Sequence, residues 1–140
     1  MTLTDDIIQI HQTAALYAHV IDGRQWDRLG DVYAEDATYD SARVGQLVGL
    51  DKIREYLSTS RQPFIHTGSN LHVTLEEGAD QATAVAKYVV IRDGAIEAGD
   101  YTDRWVRTPH GWRIAQRRST NRALAPLAGS VETAPRIGPA

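Results

Sequence analysis

Cysteine is absent from this chain of 140 residues, and its absence removes several functions at once. Without a thiol there is no disulfide scaffold, no cysteine nucleophile and no cysteine-based zinc site. No stretch approaches the roughly 20 apolar residues that a membrane-spanning helix needs. Acidic and basic residues are interspersed with a net charge of -3, and no basic block indicates a nucleic-acid or membrane surface. The acidic start is unlike a secretion signal, so a soluble cytoplasmic protein is expected.

The first half of the chain shows helical spacing. Apolar residues recur at helical intervals over 7–21, with Thr4 as the predicted N-cap and Gly23 as the end of the helix. A second helix is predicted over 25–33 and a third over 49–58. Three N-terminal helices are therefore expected.

From Phe64 onward the hydrophobic period changes from about 3.6 residues to about 2, which is typical of strands. Helices followed by an antiparallel meander predict an α+β fold. We expect one domain over 1–122 and an Ala/Pro/Gly-rich tail over 123–140 that is either disordered or extended, in the latter case on a neighbouring subunit. The predicted strands are a short one at 36–40 and long ones at 64–75, 82–92, 96–107 and 112–121, with a turn at Asp93–Gly94.

Asp22 is an unusual residue for its predicted position. It lies at the C-terminal end of the first helix, directly before Gly23. A carboxylate there faces the negative pole of the helix dipole, which is unfavourable for stability. A solvated Asp-Gly turn is the ordinary explanation. The functional explanation is an acid that is compensated by a cationic partner.

His66 lies where the chain enters the predicted sheet. Counting alternate residues from His66 places Asn70 and His72 on the same face, with Leu71 and Val73 on the opposite face if no bulge intervenes. A histidine beside apolar residues is more often structural than catalytic. Histidine is nevertheless the side chain that exchanges protons near neutral pH without a large pKa shift.

Asp22 and His66 together could form a general base. A carboxylate on one ring nitrogen fixes the tautomer of the imidazole and makes the other nitrogen a better base. If Asp22 has this purpose, the two side chains should approach within about 3.2 Å. A wider separation would favour a protein that binds a small molecule without turnover.

Tyrosine and arginine supply the remaining polar candidates. Tyr17 lies five residues before Asp22, and Tyr39 lies in the first strand; either hydroxyl could donate to a substrate oxygen. In the last strand Arg117 and Arg118 are adjacent, so one of them must face the concave side. An inward arginine suits a leaving anion or an oxyanion, whereas a surface arginine is the ordinary case.

Other catalytic signatures are missing from the sequence. His11 and His19 are eight residues apart, not the four of a helical zinc motif. There is no glycine-rich phosphate loop after a strand and no Gly-x-Ser-x-Gly nucleophile turn. No metal and no cofactor are therefore implied.

Five segments in their order and spacing resemble the SnoaL-like group of the nuclear-transport-factor-two-like superfamily, over residues 5 to 128. The resemblance implies a cone-shaped α+β barrel, with three helices on a curved and mainly antiparallel sheet that encloses one pocket. The segments are IDGRQWDRL at 21–29, YAEDATY at 33–39, IHTGSNL at 65–71, GDYTD at 99–103 and GWRI at 111–114.

Within the superfamily the chain is most similar to hexachlorocyclohexane dehydrochlorinases, scytalone dehydratases and bile-acid 7α-dehydratases. The resemblance implies an Asp–His dyad at Asp22 and His66, an arginine at Arg117 and a tyrosine at Tyr17. A second catalytic histidine of scytalone dehydratases has no counterpart here, and an acidic residue of bile-acid dehydratases falls near Lys87. The residues assigned to substrate binding are Tyr39, Trp26, Asn70, Tyr88 and Tyr101.

The function that this resemblance implies is a cofactor-independent lyase, which eliminates water or halide from a small, largely apolar, cyclic substrate. The alternatives are an isomerase or cyclase on the same dyad, or a non-catalytic small-molecule binder. Leu71, Val73 and Leu75 would be exposed on the convex face of the sheet. A homo-oligomer is therefore expected, a trimer before a dimer, with a small organic molecule as the other partner.

Overall fold

The computed structural model describes residues 1–60, 65–92, 95–122 and 136–138. No helix in these ranges is long and apolar enough to cross a membrane. The expected strand start at Phe64, the turn at Asp93–Gly94 and most of the tail lie outside the described residues. The elements are helices α1 (Leu3–Asp22) and α2 (Leu50–Thr59), a 3-10 turn (Trp26–Asp31), and strands β1 (Tyr33–Ser41), β2 (Gly45–Val48), β3 (Ile65–Thr74), β4 (Gln81–Arg92), β5 (Ala95–Thr108) and β6 (Gly111–Arg122).

Helix α1 begins at a capping box. The Thr2 hydroxyl accepts the Asp5 backbone N–H at 3.2 Å, and the Asp5 carboxylate accepts the Thr2 backbone N–H at 2.9 Å. The N-cap is therefore Thr2 and not Thr4, since an acid three residues after the cap completes the reciprocal pair. The helix ends at Asp22, as predicted, and buries Ile10, Tyr17, Val20 and Ile21 against the sheet.

The expected second helix is only a six-residue 3-10 turn. Gly30 disfavours a longer helix, and the chain is already a strand at Tyr33. β1 is longer than predicted, and β2, which pairs with it through Tyr39 and Leu47, was missed by the sequence analysis. The fold thus has two α-helices in the described residues, with the expected third replaced by the turn.

The six strands form one open sheet in the order β2-β1-β6-β5-β4-β3. The predicted antiparallel meander of four long strands is confirmed as β3 to β6. β1 joins it by parallel pairing with β6, which makes the sheet mixed. Helix α1 contacts β3 and β6, helix α2 contacts β1, and Trp105 and Trp112 are fully buried in the core. The α+β class is confirmed.

An irregularity in β3 reverses the predicted orientation of its second half. The register shifts between Ser69 and His72, and Asn70 has a φ of 52°. An extra residue in a strand moves every later side chain to the other face. Consequently Leu71, Val73 and Leu75 pack against the core. The expectation that these three residues lie on the convex face was wrong.

A second irregularity lies in β6. Arg104 pairs with Gln116 but Trp105 pairs with Ile114, so Ala115 has no partner opposite it. Trp112 and Ile114 consequently face the core together with Arg117, although alternation placed them on opposite faces. Arg118 is exposed. Of the adjacent arginines, Arg117 is therefore the inward one.

Candidate active site

Asp22 and His66 are in direct contact. Nδ1 of the His66 ring lies 2.7 Å from Oδ1 of Asp22. The other carboxylate oxygen of Asp22 accepts the backbone N–H of His66 at 3.0 Å. The predicted approach within about 3.2 Å is observed. One carboxylate therefore holds both the backbone and the ring of the histidine.

The positions of α1 and β3 explain how Asp22 and His66 come into contact. Asp22 is the last residue of α1, and His66 is the second residue of β3, which packs beside that helix. The Arg24 guanidinium donates to the Ile21 carbonyl at 3.1 Å, so a cation satisfies the helix end. The unfavourable position of the Asp22 carboxylate is thus compensated by Arg24 nearby and by two hydrogen bonds from His66.

The contact determines what the imidazole can do. An ionised carboxylate only accepts hydrogen bonds, so Nδ1 of His66 must carry a proton toward Asp22. Nε2 is then the basic nitrogen, and the imidazolium that forms on proton uptake is stabilised by the adjacent charge. The side chain of His66 is only 9% exposed and that of Asp22 is 25% exposed. The pair is therefore partly shielded from water.

Aromatic rings connect His66 to a buried arginine. The Tyr17 ring packs edge-on against His66 and against Tyr101, with centroids 6.0 Å apart in both cases. The Arg117 guanidinium carbon lies 4.5 Å from the Tyr17 ring centroid and 3.9 Å from that of Tyr101. A cation over these rings is an attractive arrangement. Arg117 thus fixes two of the rings that surround the dyad.

Arg117 does not present an uncompensated charge. Its Nε donates to Oδ1 of Asp103 at 2.9 Å and its Nη2 donates to Oδ2 at 2.7 Å. Burial opposes the charged form of Arg117, but attraction to the Asp103 carboxylate and the hydrogen bonds that Arg117 donates to it raise the pKa of Arg117 well above its ordinary value. Nη1 of Arg117 is buried and has no hydrogen-bond partner within the described chain. The arginine therefore acts as one half of an ion pair.

The tyrosine hydroxyls near the dyad stay protonated. Burial raises the pKa of Tyr33 and of Tyr101 well above the ordinary value. Burial also raises the pKa of Tyr39 and of Tyr88. Of these four, Tyr39, Tyr88 and Tyr101 line cavities beside the dyad, where a protonated hydroxyl can donate a hydrogen bond to a ligand oxygen.

Two adjoining cavities meet at His66. One of about 800 Å³ extends to Tyr39 and is called the Tyr39 cavity. The other, of about 760 Å³, extends to Asn70 and is called the Asn70 cavity. Both volumes suit a small organic ligand. The residues that line both cavities are Tyr17, His66, Tyr88 and Tyr101.

A glycine permits the ring stacking in the shared wall. Tyr88 of β4 pairs with Gly99 of β5, and the Tyr88 ring stacks on Tyr101 with centroids 4.6 Å apart. A Cβ on Gly99 would lie 2.7 Å from the Tyr88 hydroxyl and would collide with the Thr120 carbonyl. Gly99 therefore gives Tyr88 the space to lie flat across the sheet.

The structure brings together most of the residues singled out from the sequence. Asp22, Asn70 and Arg117 line the Asn70 cavity, and Tyr39 lines the other cavity. Trp26 is the exception, because it lines neither cavity. It begins the 3-10 turn, its carbonyl accepts from Arg54 of α2 at 3.1 Å, and it packs against the core. Trp26 therefore lies outside the walls of these two cavities, and its assignment to substrate binding stays a prediction.

Sequence reasoning missed several polar residues of the site. Asp103 was visible only as part of a motif, and the shift at Ala115 concealed its pairing with Arg117. Arg43 and Glu97 line the Tyr39 cavity and gave no sequence signal. Within the four described ranges, no three His, Asp or Glu side chains are grouped so as to hold a metal ion.

Comparison with known proteins identifies the family. Residues 3–118 match the SnoaL-like domain, and the chain belongs to this family. An uncharacterized protein of Mycobacterium tuberculosis is 33% identical over 129 residues, which cover 82% of this chain and 84% of that protein.

Solved structures share the fold. Hexachlorocyclohexane dehydrochlorinase LinA-type3 from Novosphingobium barchaimii has a TM-score of 0.71 at 20% identity, with 94% of each chain covered. A proposed scytalone dehydratase from Novosphingobium aromaticivorans has a TM-score of 0.70 at 16% identity, covering 91% of this chain and 96% of that one. The resemblance that the sequence motifs indicated is confirmed for the fold and the family.

Proposed function

We propose that the protein is a cofactor-independent lyase, which eliminates water or halide from a small cyclic substrate. The observation that carries the proposal is the two-point contact of Asp22 with His66, at 2.7 Å to the ring and 3.0 Å to the backbone. This geometry gives His66 a defined tautomer and a basic Nε2 beside two cavities.

The proton balance of such an elimination is simple. Nε2 of His66 removes a proton from a substrate carbon, and the electron pair of that C–H bond forms the double bond as the leaving group departs. A halide leaves with the electron pair of its own bond and needs no proton. A hydroxyl takes the proton back from the His66 imidazolium and leaves as water. Asp22 remains ionised throughout and stabilises the imidazolium.

Tyrosine hydroxyls are the donors that would stabilise the negative charge on the leaving atom. Tyr17 is adjacent to His66 and lines both cavities, and Tyr39 has a hydroxyl kept protonated by burial. Because Asp103 already engages Arg117, we assign the arginine to positioning the Tyr17 and Tyr101 rings. Substrate binding is assigned to Tyr39, Tyr88, Tyr101 and Asn70.

Elimination is placed ahead of isomerisation because two structural neighbours carry names of eliminating enzymes, a dehydrochlorinase and a proposed dehydratase. An isomerase or cyclase is the second candidate. The protonated hydroxyls of Tyr39 and Tyr88 favour it, since the same donors would stabilise an enolate. The third candidate is a non-catalytic protein that binds a small molecule without converting it.

The test is incubation of the protein with cyclic alcohols and halides that bear an acidic neighbouring C–H. The lyase predicts an alkene together with water or halide, and an isomerase predicts a product of unchanged mass. His66→Ala is the control that should abolish either product. Tight binding without any product across the panel would contradict the lyase and support the binder.

We also propose a homo-oligomer, a trimer before a dimer. Leu71, Val73 and Leu75 pack against the core and do not support it. The support is a row of exposed apolar residues, in which Ile65, Ile91 and Ile96 are paired across three strands and are 43% to 56% exposed. Sedimentation that shows only a 15.5 kDa monomer at micromolar concentration would refute it.

A further inference from the structure

We propose that the substrate carries a carboxylate, and that Arg43 binds this group at the end of the Tyr39 cavity away from His66. This inference rests on the proposed function for placing the reacting ring beside His66. It adds the chemical class of the substrate and a residue that recognises it.

The sheet register places a charged pair at a fixed distance from the dyad. His66 of β3 pairs with Val90 of β4, and Val90 pairs with Glu97 of β5. All three line the Tyr39 cavity. Because neighbouring strands lie about 4.8 Å apart, the Cα atoms of His66 and Glu97 are separated by roughly 10 Å. A ring at His66 would therefore leave its substituent close to Glu97.

Arg43 meets Glu97 at this position. Arg43 lies in the turn between β1 and β2, and its Nη2 donates to Oε1 of Glu97 at 3.1 Å. Its Nε and Nη1 have no hydrogen bond within the described residues. Among the described residues of the cavity wall, Arg43 is the one permanently charged cation. The guanidinium therefore has donors to offer to a ligand.

The ion pair is weak enough to be exchanged. The Arg43 side chain is 56% exposed and that of Glu97 is 22% exposed, and the pair has a single hydrogen bond. Pairs this exposed contribute little to stability. A substrate carboxylate can form two parallel hydrogen bonds with a guanidinium, which is the stronger geometry. Glu97 thus competes with the substrate for Arg43 while the cavity is empty.

Removing the charge of Glu97 distinguishes a competitor for Arg43 from a purely structural partner. If Glu97 holds Arg43 in the absence of ligand, Glu97→Gln should improve the binding of a carboxylate. If the pair were only a structural link across the mouth of the cavity, the same substitution would weaken binding or leave it unchanged. Arg43→Gln should remove the preference for a carboxylate over a neutral amide.

The experiment compares 2-naphthoate with 2-naphthamide by isothermal titration calorimetry. The wild-type protein should bind the naphthoate about tenfold more tightly. Arg43→Gln should bind both probes equally, with unchanged affinity for the amide. Arg43→Lys should show an intermediate preference for the naphthoate, because lysine keeps the charge but lacks the paired N–H donors of a guanidinium. Glu97→Gln should bind the naphthoate several-fold more tightly than the wild type.

The control is Arg28→Gln, which removes another exposed arginine of an ion pair outside both cavity walls and should change neither affinity. Melting temperatures verify that each variant is folded. Equal wild-type affinity for the two probes, or an Arg43→Gln variant that still prefers the naphthoate, would overturn the inference. Binding needs no turnover, so an Arg43-dependent preference in a protein that converts no substrate would refute the lyase alone.

Discussion

Asp103 and Arg117 face each other across the β5–β6 ladder, and their side chains form an ion pair joined by two hydrogen bonds of 2.9 and 2.7 Å. The side chains are 1% and 3% exposed, respectively. The rings of Tyr17 and Tyr101 cover the guanidinium. The pair thus lies within the wall that also holds His66, where a change in one partner leaves the other charged and buried.

Arg117→Ala should reduce the free energy of unfolding by about 3–5 kcal/mol, because Asp103 would remain as an unpaired buried charge. Urea denaturation measures this change. Arg118→Ala is the matched control, since the neighbouring arginine is exposed and should shift stability by less than about 0.5 kcal/mol. The double variant Asp103→Leu/Arg117→Met removes both charges and should be less destabilised than Arg117→Ala. Equal stability of the Arg117 and Arg118 variants would contradict the ion-pair account.

Gly99→Ala should destabilise the protein by about 1–3 kcal/mol, because its Cβ meets the Thr120 carbonyl and the Tyr88 ring. It should also weaken ligand binding, since Tyr88 lines both cavities. Gly68→Ala on β3 is the control, as a Cβ there has no neighbour within 4 Å among the described atoms. Thermal melts of the two variants are the measurement, and equal losses would show that Gly99 has no special role.

Asp6 should make stability depend on pH in the acid range. Hydrogen bonds from Arg107 and then from Trp112 lower the pKa of Asp6 from 3.8 to about 2. A depressed folded pKa means that the stabilisation is complete above 3.8 and is lost as the pH falls through about 2. The stability difference between the wild type and Asp6→Asn should therefore be constant near neutral pH and shrink between about pH 4 and pH 2.

Urea midpoints across that range measure the difference. Asp80→Asn is the control, because its carboxylate accepts from the same Arg107 at 3.2 Å but its side chain is 81% exposed. That variant should follow the wild-type pH profile. A wild-type profile parallel to that of Asp6→Asn down to pH 2 would refute the role of Asp6.

The hydrophobic period of the sequence predicted the helices and strands in which apolar residues are regularly spaced. The four-strand meander follows from the spacing of apolar residues, and the end of α1 at Asp22 follows from Gly23. The irregular positions did not follow, because one extra residue reverses the face of all later side chains. Asparagine tolerates a positive φ, so Asn70 was a sequence signal for the irregularity in β3. From the sequence alone, however, it looks the same as an asparagine in a regular strand.

The sequence predicted those residues of the candidate site whose own position or chemistry is unusual. It did not predict the contacts that depend on how the strands pair across the sheet. Asp22 stood out because of its unfavourable helix end, and His66 stood out through its chemistry. The partner of Arg117 depends on the register of β5 and β6, which the unpaired Ala115 shifts by one residue from the value that the turn implies. Arg43 lies in a turn whose flanking strand, β2, gave no clear period.

If Asp22 and His66 act as one catalytic unit, a double-mutant cycle on turnover will reveal their coupling. His66→Ala removes the base and should lower kcat/KM by about 10²–10⁴-fold. Asp22→Asn offers Nδ1 an amide donor, which favours the tautomer with the proton on Nε2, so its loss should also be large. With melting temperatures confirming that the variants are folded, we expect the double variant to be scarcely less active than His66→Ala. Losses that add in the double variant, or full activity in His66→Ala, would contradict a single catalytic unit.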